Sequence, residues 1–323
     1  MGNWLIHHDL RAPAFGAPRT ELYAQALAMT EWADTKGCPR VVISEHHGSS
    51  DGYLPSPFVF AGAVAGRTQR IRIMVSALIL TLRDPIATAE DVAVLDIISD
   101  GRVELTVVPG YVPEEFAMFD VPFAERGALF EEKLSALLAG LSGEPFRYRG
   151  REIMITPAPV QRPRPFVIVG GSAPKRAARL GDAYLPALPD PRLGDVYVAE
   201  CRRLGKGEGI LLSPEGPMWV FVTEDPDRSW SELGPHALHE ARGYARMAAS
   251  VPGASPWTAV DGVEELRDSG LYAVVTPEEC VTLARQLGPR AALKLKPLMA
   301  GLDPAIGWRS LELFVEQVVP ALD

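Results

Sequence analysis

Cysteine, clustered positive charge and long apolar runs are all scarce in this sequence of 323 residues. Its three cysteines, Cys38, Cys201 and Cys280, lie far apart, which fits neither a disulfide framework nor a CxxC metal site and indicates a reducing compartment, the cytoplasm. The net charge is −9 and no block of Lys and Arg occurs, so nucleic acid is not an expected partner. No apolar run reaches the ~18 residues of a membrane span, and the N-terminus lacks a signal-peptide pattern. We therefore expect neither membrane insertion nor secretion.

Apolar strands and helices alternate along nearly the whole sequence. The strand segments are almost continuously apolar, as in 40–44 (RVVIS) and 103–108 (VELTVV), which is typical of parallel strands covered on both faces. Eight strand and helix units fit an α/β fold of the (β/α)8 TIM-barrel type better than a doubly wound sheet, which has about five or six strands. The predicted strands are 4–8, 40–44, 70–80, 103–108, 166–169, 183–188, 218–222 and 291–298.

Two segments interrupt this alternation. The Pro-rich stretch 145–165 contains two short strand-like runs around Arg149-Gly150, which predict a β-hairpin insertion. The stretch 250–270, rich in Gly, Pro and polar residues, predicts a mobile loop rather than a linker, because a barrel must still close after it. We therefore expect one domain over residues 1–323 that carries both segments.

Polar residues follow the predicted strands at their C-terminal ends, where TIM barrels carry their catalytic groups. The tripeptide Glu45-His46-His47 follows the second strand. Adjacent histidines on an extended chain point to opposite sides, and no HxH or HExxH spacing occurs, so we expect no metal site. A strand end favours a general acid or base, although one structural and one exposed histidine would also explain the pair. Further candidates at strand ends are His7, His8, Asp9, residues 76–81 and Pro109-Gly110-Tyr111.

A second signal is the turn Gly170-Gly171-Ser172-Ala173, which joins a predicted strand to a helix. Small residues at such a turn let backbone N–H groups approach an anion, as in the phosphate sites of α/β folds. Lys175 and Arg176 would add positive charge in the first turn of the helix. A Gly-Gly turn with Ser as the helix N-cap explains the same residues without any ligand.

Several blocks, taken in order, carry a resemblance that single motifs do not. They are Glu45-His46-His47, Asp84-Pro85 with Ala89-Glu90-Asp91-Val92, Leu95-Asp96 with Ser99-Asp100-Gly101-Arg102, Pro109-Gly110-Tyr111 with Glu115-Phe116, the glycine turn with 177–181, and the C-terminal segment 297–322. With them the chain resembles the bacterial luciferase-like flavin-dependent monooxygenase family over nearly its whole length. The resemblance implies a barrel whose pocket at the strand C-termini holds FMN or the deazaflavin F420, with variable segments such as 145–165 and 250–270 covering the pocket.

The resemblance also implies roles for individual residues. His46 corresponds to the family's histidine beside flavin and substrate, and Ser76-Ala77 to a non-proline cis peptide against the flavin ring. Residues 171–173 correspond to the backbone grip on the cofactor phosphate. Cofactor contacts are thus expected from Ser76, Ala77, Pro109, Gly110, Gly170, Gly171, Ser172, Ala173 and Lys175, and weaker substrate contacts from His8, Glu45 and Tyr111.

One position departs from the family pattern. By this match, Pro109 replaces the phosphate-binding arginine of the luciferases. An FMN phosphate would therefore need Lys175 or Arg176, or backbone alone, and this weakens the assignment of FMN over F420.

Three functions follow from the resemblance. The leading hypothesis is a monooxygenase that uses reduced FMN, supplied by a separate flavin reductase, and O2 to oxygenate a small organic substrate. The second is an F420-dependent oxidoreductase that transfers hydride without O2, and the third is a non-catalytic flavin-binding relative. An unrelated barrel hydrolase ranks last, because the sequence has no metal spacing and no nucleophile elbow.

The sequence does not decide the oligomeric state or which side chains line the pocket. Family members are commonly dimers, and the small and apolar residues of 57–67 suit either a homodimer interface or burial against the barrel. Pocket walls would come from apolar and aromatic side chains, each of which could equally belong to the core. Those side chains are Trp4, Tyr53, Tyr111 and Phe116.

Overall fold

The computed structural model describes residues 4–212, 216–251, 253, 256–257, 259–288 and 291–322. The strands are β1 (Trp4–His8), β2 (Arg40–Ile43), β3 (Arg72–Ile79), β4 (Val103–Val108), β5 (Phe146–Tyr148), β6 (Arg151–Ile153), β7 (Phe166–Gly171), β8 (Ala183–Pro186), β9 (Trp219–Val222), β10 (Tyr272–Val275) and β11 (Leu293–Leu295). The helices are α1 (Arg19–Thr35), α2 (Pro57–Arg67), α3 (Pro85–Ile98), α4 (Pro113–Met118), α5 (Arg126–Leu141), α6 (Pro174–Leu180), α7 (Pro191–Arg203), α8 (Pro226–Ala248), α9 (Val263–Asp268), α10 (Pro277–Leu287), α11 (Pro304–Leu313) and α12 (Val319–Leu322).

The strands of the main sheet all pair in parallel, in the order β10-β9-β11-β1-β2-β3-β4-β7-β8. Many of the helices that follow them begin at a proline, as α2, α3 and α4 do. Proline suits the first helical position because its fixed φ matches the helix and its missing N–H would have no partner there. The α/β class predicted from the sequence is confirmed. None of the described helices is both long and apolar enough to cross a bilayer.

One strand of the sheet was not predicted. The sequence interpretation placed a long helical region and a loop between the strands 218–222 and 291–298. The structure instead forms the 23-residue helix α8 and then a ninth parallel strand, β10, which pairs with β9. β10 is only four residues long (YAVV), and an apolar run this short cannot be told from a segment of a buried helix by its period.

The segment 145–165 contains the antiparallel hairpin of β5 and β6. It joins the end of α5 to the start of β7, and therefore leaves from the N-terminal end of the parallel strands. The hairpin lies along the helix layer, where Arg149 pairs with Glu132 of α5 at 2.9 Å. The chain between the hairpin and β7 is fixed by Asp96 near the end of α3. The Asp96 carboxylate accepts the Val160 N–H at 2.8 Å. The resemblance implied that this segment covers the pocket at the strand C-termini. The structure instead places the hairpin against the outer helices.

The segment 250–270 contains a short helix. Its second half forms α9, and the side chains of Trp257 and Val260 are buried in the core. Residues 252, 254, 255 and 258 lie outside the described part of the chain, and the predicted mobility stays a prediction. The described part brings the Trp257 ring onto Tyr244, with ring centroids 4.3 Å apart.

The side chains on the face of the sheet that points away from the helices, which we call the inward face, form successive layers. Glu104 binds Arg40 at 2.7 Å and Arg72 at 2.5 Å near the strand N-termini. The next layer is apolar, with Leu5, Val42, Met74, Ile168 and Ala183 in one cluster. Because side chains alternate along a strand, the following inward positions, toward the C-terminal ends, are polar or small. They are His7, Ser44, Ser76, Thr106 and Gly170, and they form the floor of the candidate site.

Candidate active site

Three neighbouring strands are joined by a short chain of hydrogen bonds at this floor. The Ser44 hydroxyl donates to the carbonyl oxygen of Ser76 at 2.7 Å, and the Nε2 atom of His7 lies 2.7 Å from the same hydroxyl oxygen. The peptide bond between Ser76 and Ala77 is cis, as the resemblance implies. The C-terminal ends of β1, β2 and β3 therefore hold the cis peptide through side chains rather than through sheet pairing alone.

His46 is held by a carboxylate from α4, the helix that follows β4. Its Nδ1 lies 2.7 Å from Oε1 of Glu115 on α4, and the same oxygen accepts the backbone N–H of His47 at 2.8 Å. An ionised carboxylate can only accept hydrogen bonds, so Nδ1 of a neutral His46 carries the proton and Nε2 keeps a lone pair. The sequence singled out His46 but gave Glu115 no role beyond its place in a sequence block.

Three tyrosine rings enclose His46. The ring centroids of Tyr53, Tyr111 and Tyr244 lie 4.8, 5.7 and 6.2 Å from that of the imidazole, each in an edge arrangement. Burial raises the pKa of all three phenols, so they are neutral at ordinary pH. His46 thus lies in an aromatic enclosure with a polar tip on each wall. Of the predicted pocket walls, Tyr53 and Tyr111 lie here.

The other two predicted walls belong to the core. Trp4 packs on Phe314 of the C-terminal segment at a centroid distance of 5.2 Å. Phe116 lies in a separate buried cluster with Ile79 and Leu82.

Glu45 and His47 turn away from His46 and brace the loops. The carboxylate of Glu45 accepts the Ile79 N–H at 2.7 Å, pairs with Arg83, and lies 3.1 Å from Nε2 of His47. Burial would raise the pKa of Glu45, but the contact with His47 and the charge of Arg83 lower it. Because both oxygens are occupied and the side chain is fully buried, Glu45 acts as a structural anchor and not as the substrate contact that was predicted.

His8 also points away from the site. Its Nε2 lies 3.0 Å from Oγ1 of Thr30 on α1, and its ring meets the edge of Phe60 on α2. Alternation along β1 explains the outcome, because His7 takes the inward side and the next residue must take the helix side. His8 is therefore part of the layer between sheet and helices rather than of the predicted substrate pocket.

The burial of His8 predicts a pH dependence of stability. Desolvation lowers the pKa of His8 to about 3 in the folded protein, whereas an unfolded histidine has a pKa of ~6.5. Below pH ~6.5 the unfolded chain therefore binds a proton that the folded one does not. As the pH falls further, this residue lowers the unfolding free energy by up to about 1.4 kcal/mol for each pH unit. We expect urea titrations of His8→Asn to show a shallower decline between pH 6.5 and 4 than the wild type. Equal slopes would contradict the buried, neutral His8.

Arg11 forms an unpredicted aromatic and ionic cluster above the site. Its guanidinium carbon lies 4.5 Å from the Tyr53 ring centroid and 4.7 Å from that of Tyr244. Asp51 binds it at 2.9 Å, and the hydroxyls of the two tyrosines lie 2.9 Å apart. A buried cation between two ring faces fixes both walls of the His46 enclosure.

A second unpredicted cluster centres on Lys296. Its ammonium group pairs with Asp9 at 2.5 Å and with Glu240 of α8. Glu240 also accepts the Trp219 indole N–H at 2.6 Å and the Tyr272 hydroxyl at 2.9 Å. All of these side chains are buried. The sequence did carry a signal, because lysines at 294 and 296 occupy one face of an otherwise apolar strand.

The glycine turn packs closely at one residue and opens at the next. A Cβ atom on Gly170 would lie 2.7 Å from Val108, so only glycine fits there. Gly171 has φ +113° and would place a Cβ 3.8 Å from the Pro109 ring, in ordinary contact. Ser172 and Lys175 are exposed beyond the turn, and Ala173 is half-buried. Gly110, with φ +80°, fits against Ile79 and so has a packing role in its own loop.

Positive charge at this turn is less available than the sequence suggested. The Arg176 side chain binds Glu131 of α5 at 3.2 Å, and Arg179 binds the same carboxylate at 2.7 Å. Arg176 is thus directed to the neighbouring helix. Lys175, which is exposed next to the turn, remains the candidate for an anion there.

A family model described as luciferase-like monooxygenase matches residues 7–287. The chain belongs to this family. The resemblance inferred from the sequence is confirmed, and with it the assignment to a family of monooxygenases.

Individual relatives and solved structures agree with the family match. The chain is 25% identical to limonene 1,2-monooxygenase of Rhodococcus erythropolis, over 92% of this chain and 80% of the relative. Two uncharacterised proteins of Sinorhizobium fredii match at 32% and 33% identity, over 48% and 42% of this chain and over 47% and 40% of their own length, so the chain spans about half the length of these relatives or less. The FMN complex of the oxygenating constituent of 3,6-diketocamphane monooxygenase from Pseudomonas putida has a TM-score of 0.73 at 20% identity, over 99% of this chain and 98% of that one. An F420-dependent secondary alcohol dehydrogenase has a TM-score of 0.69 at 17% identity, with full coverage of both chains.

Proposed function

We propose that this protein is a flavin-dependent monooxygenase that uses reduced FMN and O2 to oxygenate a small organic substrate. The observation that carries the proposal is the His46–Glu115 pair, which engages Nδ1 of the imidazole and leaves Nε2 to exchange a proton inside an aromatic enclosure. Such a group can hold or move a proton at a reacting centre that water does not reach. Family membership supports the same reaction class.

Buried polar atoms at the site fit a flavin ring. In the described part of the chain, His7 Nδ1, Thr106 Oγ1 and Glu115 Oε2 are buried without a hydrogen-bond partner. Buried polar atoms in folded proteins almost always have partners, and each exception needs a cause. The first two lie on the inward row that includes Ser76, and the third belongs to the His46 pair. A ligand that carries both hydrogen-bond donors and acceptors, as a flavin ring does, would satisfy these atoms.

Each residue of the site has a separate role in this proposal. A bound reduced flavin would supply the electrons that activate O2 and the oxygen transfer to the substrate. Glu115 fixes the tautomer of His46, whose Nε2 takes up or returns a proton during that transfer. Tyr53, Tyr111 and Tyr244 exclude water. We propose Ser76 and Ala77 as the contact to the ring, and the backbone of residues 170–173 with Lys175 as the contact to the phosphate.

An F420-dependent hydride transfer is the second candidate, and the glycine turn is the observation that favours it. Pro109 occupies the position opposite Gly171, and Arg176 is bound to Glu131, so an FMN phosphate would be left with Lys175 and backbone N–H groups. In that reaction His46 would exchange the proton that accompanies hydride transfer. Solved structures with this fold include one in complex with FMN and one described as F420-dependent.

A direct comparison of cofactors tests the proposal. The purified chain is titrated with oxidised FMN and with F420, and chemically reduced FMN is then mixed with ¹⁸O2 and a panel of small ketones, terpenes and aldehydes. We expect FMN to bind and one ¹⁸O atom to enter a product. Preferred binding of F420 with no oxygen incorporation would favour the hydride transferase. Binding without turnover, unchanged in His46→Ala, would favour a non-catalytic relative.

Partners and location extend the proposal. Reduced FMN would come from a separate flavin reductase in the cytoplasm, and the chain would act as a homodimer. The helices α2 and α3 support the dimer, because Val59, Val94 and Ile98 are exposed on them while Phe60 and Ala61 pack into the core. Sedimentation of the wild type and of Val59→Lys tests this interface.

A further inference from the structure

The hydrogen bonds at the floor of the site fix the proton on His7. Ser44 has one hydroxyl proton, and it is used on the Ser76 carbonyl oxygen, which can only accept. The contact of 2.7 Å between His7 Nε2 and the Ser44 oxygen therefore requires Nε2 to be the donor. A neutral imidazole carries one N–H, so Nδ1 of His7 is a bare acceptor.

This acceptor is held neutral and has no partner in the described part of the chain. Burial lowers the pKa of His7 well below its usual value, and the positive charge of Lys296 lowers it further. The imidazole packs on Trp219 with ring centroids 4.6 Å apart, which fixes its plane. A rigid, neutral acceptor of this kind leaves a place for a donor, and on the inward row, where the candidate site lies, a ligand can supply that donor.

The chemistry of the two candidate cofactors limits which donor this can be. The ring edges of oxidised FMN and of F420 present several acceptors but share one N–H group, at N3 of the pyrimidine ring. His7 lies on the same inward row as Ser76, which we propose as a ring contact, and Ser44 links the two residues. Building on the proposed function, we propose that His7 Nδ1 accepts a hydrogen bond from the cofactor N3–H, and that Ser44 selects the His7 tautomer that makes this possible.

His8 offers a matched control for this proposal. It has the same pattern, because Thr30 uses its proton on the Ala26 carbonyl and so accepts from His8 Nε2, which leaves another bare Nδ1. The two histidines differ in the side of β1 that they occupy. An effect that depends on His7 and not on His8 is therefore specific to the floor of the site.

The first test uses the protein alone. Two-bond ¹H–¹⁵N correlation spectra of histidine-labelled protein are expected to show His7 as the Nε2–H tautomer at neutral pH, and Ser44→Ala is expected to shift His7 toward the other tautomer. A His7 found protonated at Nδ1 in the wild type would overturn the inference without reference to any cofactor.

The second test uses FMN and 3-methyl-FMN, which lacks the donor. In the wild type and in His8→Leu, methylation is expected to weaken binding about 5- to 150-fold, the cost of an unpaired buried acceptor. In His7→Leu the two flavins are expected to bind within about threefold of each other. With ¹⁵N-labelled FMN, the N3 proton is expected to exchange slowly with solvent in the wild type and rapidly in His7→Leu.

The outcomes separate this inference from the proposed function. If FMN binds but the methyl group costs the same in wild type and His7→Leu, or if the N3 proton exchanges rapidly in the wild type, the role of His7 is overturned and the proposed function stands. If neither FMN nor F420 binds the wild type, the proposed function fails and this inference fails with it.

Discussion

Glu115→Gln is expected to lower turnover by about 100-fold or more while leaving FMN affinity within about threefold. Glu115 accepts the Nδ1–H of His46 and the backbone N–H of His47 on one oxygen. A glutamine of the same shape keeps an oxygen for both N–H groups but lacks the negative charge that stabilises the imidazolium formed when His46 takes up a proton. General acid and base catalysis contributes about 10²- to 10⁴-fold, and loss of this counter-charge forfeits much of that factor. Single-turnover kinetics with reduced FMN measures the loss.

Two comparisons make the Glu115 prediction specific. Glu114 is exposed on the same helix, so Glu114→Gln is expected to leave turnover unchanged. If Glu115 acts through His46, the double variant His46→Ala/Glu115→Ala should be about as slow as His46→Ala, because the two groups work as one unit. Turnover of Glu115→Gln within threefold of the wild type, in a protein that still binds FMN, would contradict the assigned role.

The parts of the fold that could be predicted are those with a local period. Continuous apolar strands indicated a parallel sheet, and the position of His46 after β2 indicated the correct end of that sheet. The helix α9 and the strand β10 were missed because each is short. Alternation along β1 could have assigned the two histidines, since Trp4, Ile6 and His8 share the apolar, helix-facing side and His7 does not.

The rest of the site depends on contacts between residues that lie far apart in the sequence, and no local pattern of residues predicts such contacts. Glu115 is 69 positions from His46, and Lys296 is 287 positions from Asp9. The resemblance supplied blocks that contain His46 and Glu115 but none that contains Asp9 or Lys296, and it did not separate catalytic residues from structural ones. Arg102 illustrates this, because its guanidinium donates to carbonyls of Ile71 and Ala65 and so joins the end of α2 to β3. A residue within a shared block can be a structural brace.

Lys296→Met is expected to lower the unfolding free energy by about 3–5 kcal/mol, the largest stability effect that we predict. The substitution leaves Glu240 without its cation and Asp9 with Arg11 alone, 3.4 Å away, and an uncompensated buried charge has a cost of this size. In the wild type the two carboxylates raise the pKa of Lys296 above its usual value, despite its burial. Adding Asp9→Asn and Glu240→Gln to Lys296→Met should recover at least half of the loss, because amides need no counter-charge. Urea denaturation measures each variant.

The deficit of Lys296→Met should also grow with pH. Without the cation, it is costly to keep two neighbouring buried carboxylates ionised in the folded state. This cost appears only as the pH rises above ~4 and carboxyl groups lose their protons, so the stability of the variant falls as the pH rises. We expect the deficit at pH 8 to exceed that at pH 5. Lys294 is the control, because burial lowers its pKa and no ion pair to it occurs among the described residues, so Lys294→Met should be neutral or stabilising. A deficit of Lys296→Met that matches Lys294→Met, or that shrinks with pH, would show that Lys296 does not compensate the two carboxylates beneath the site.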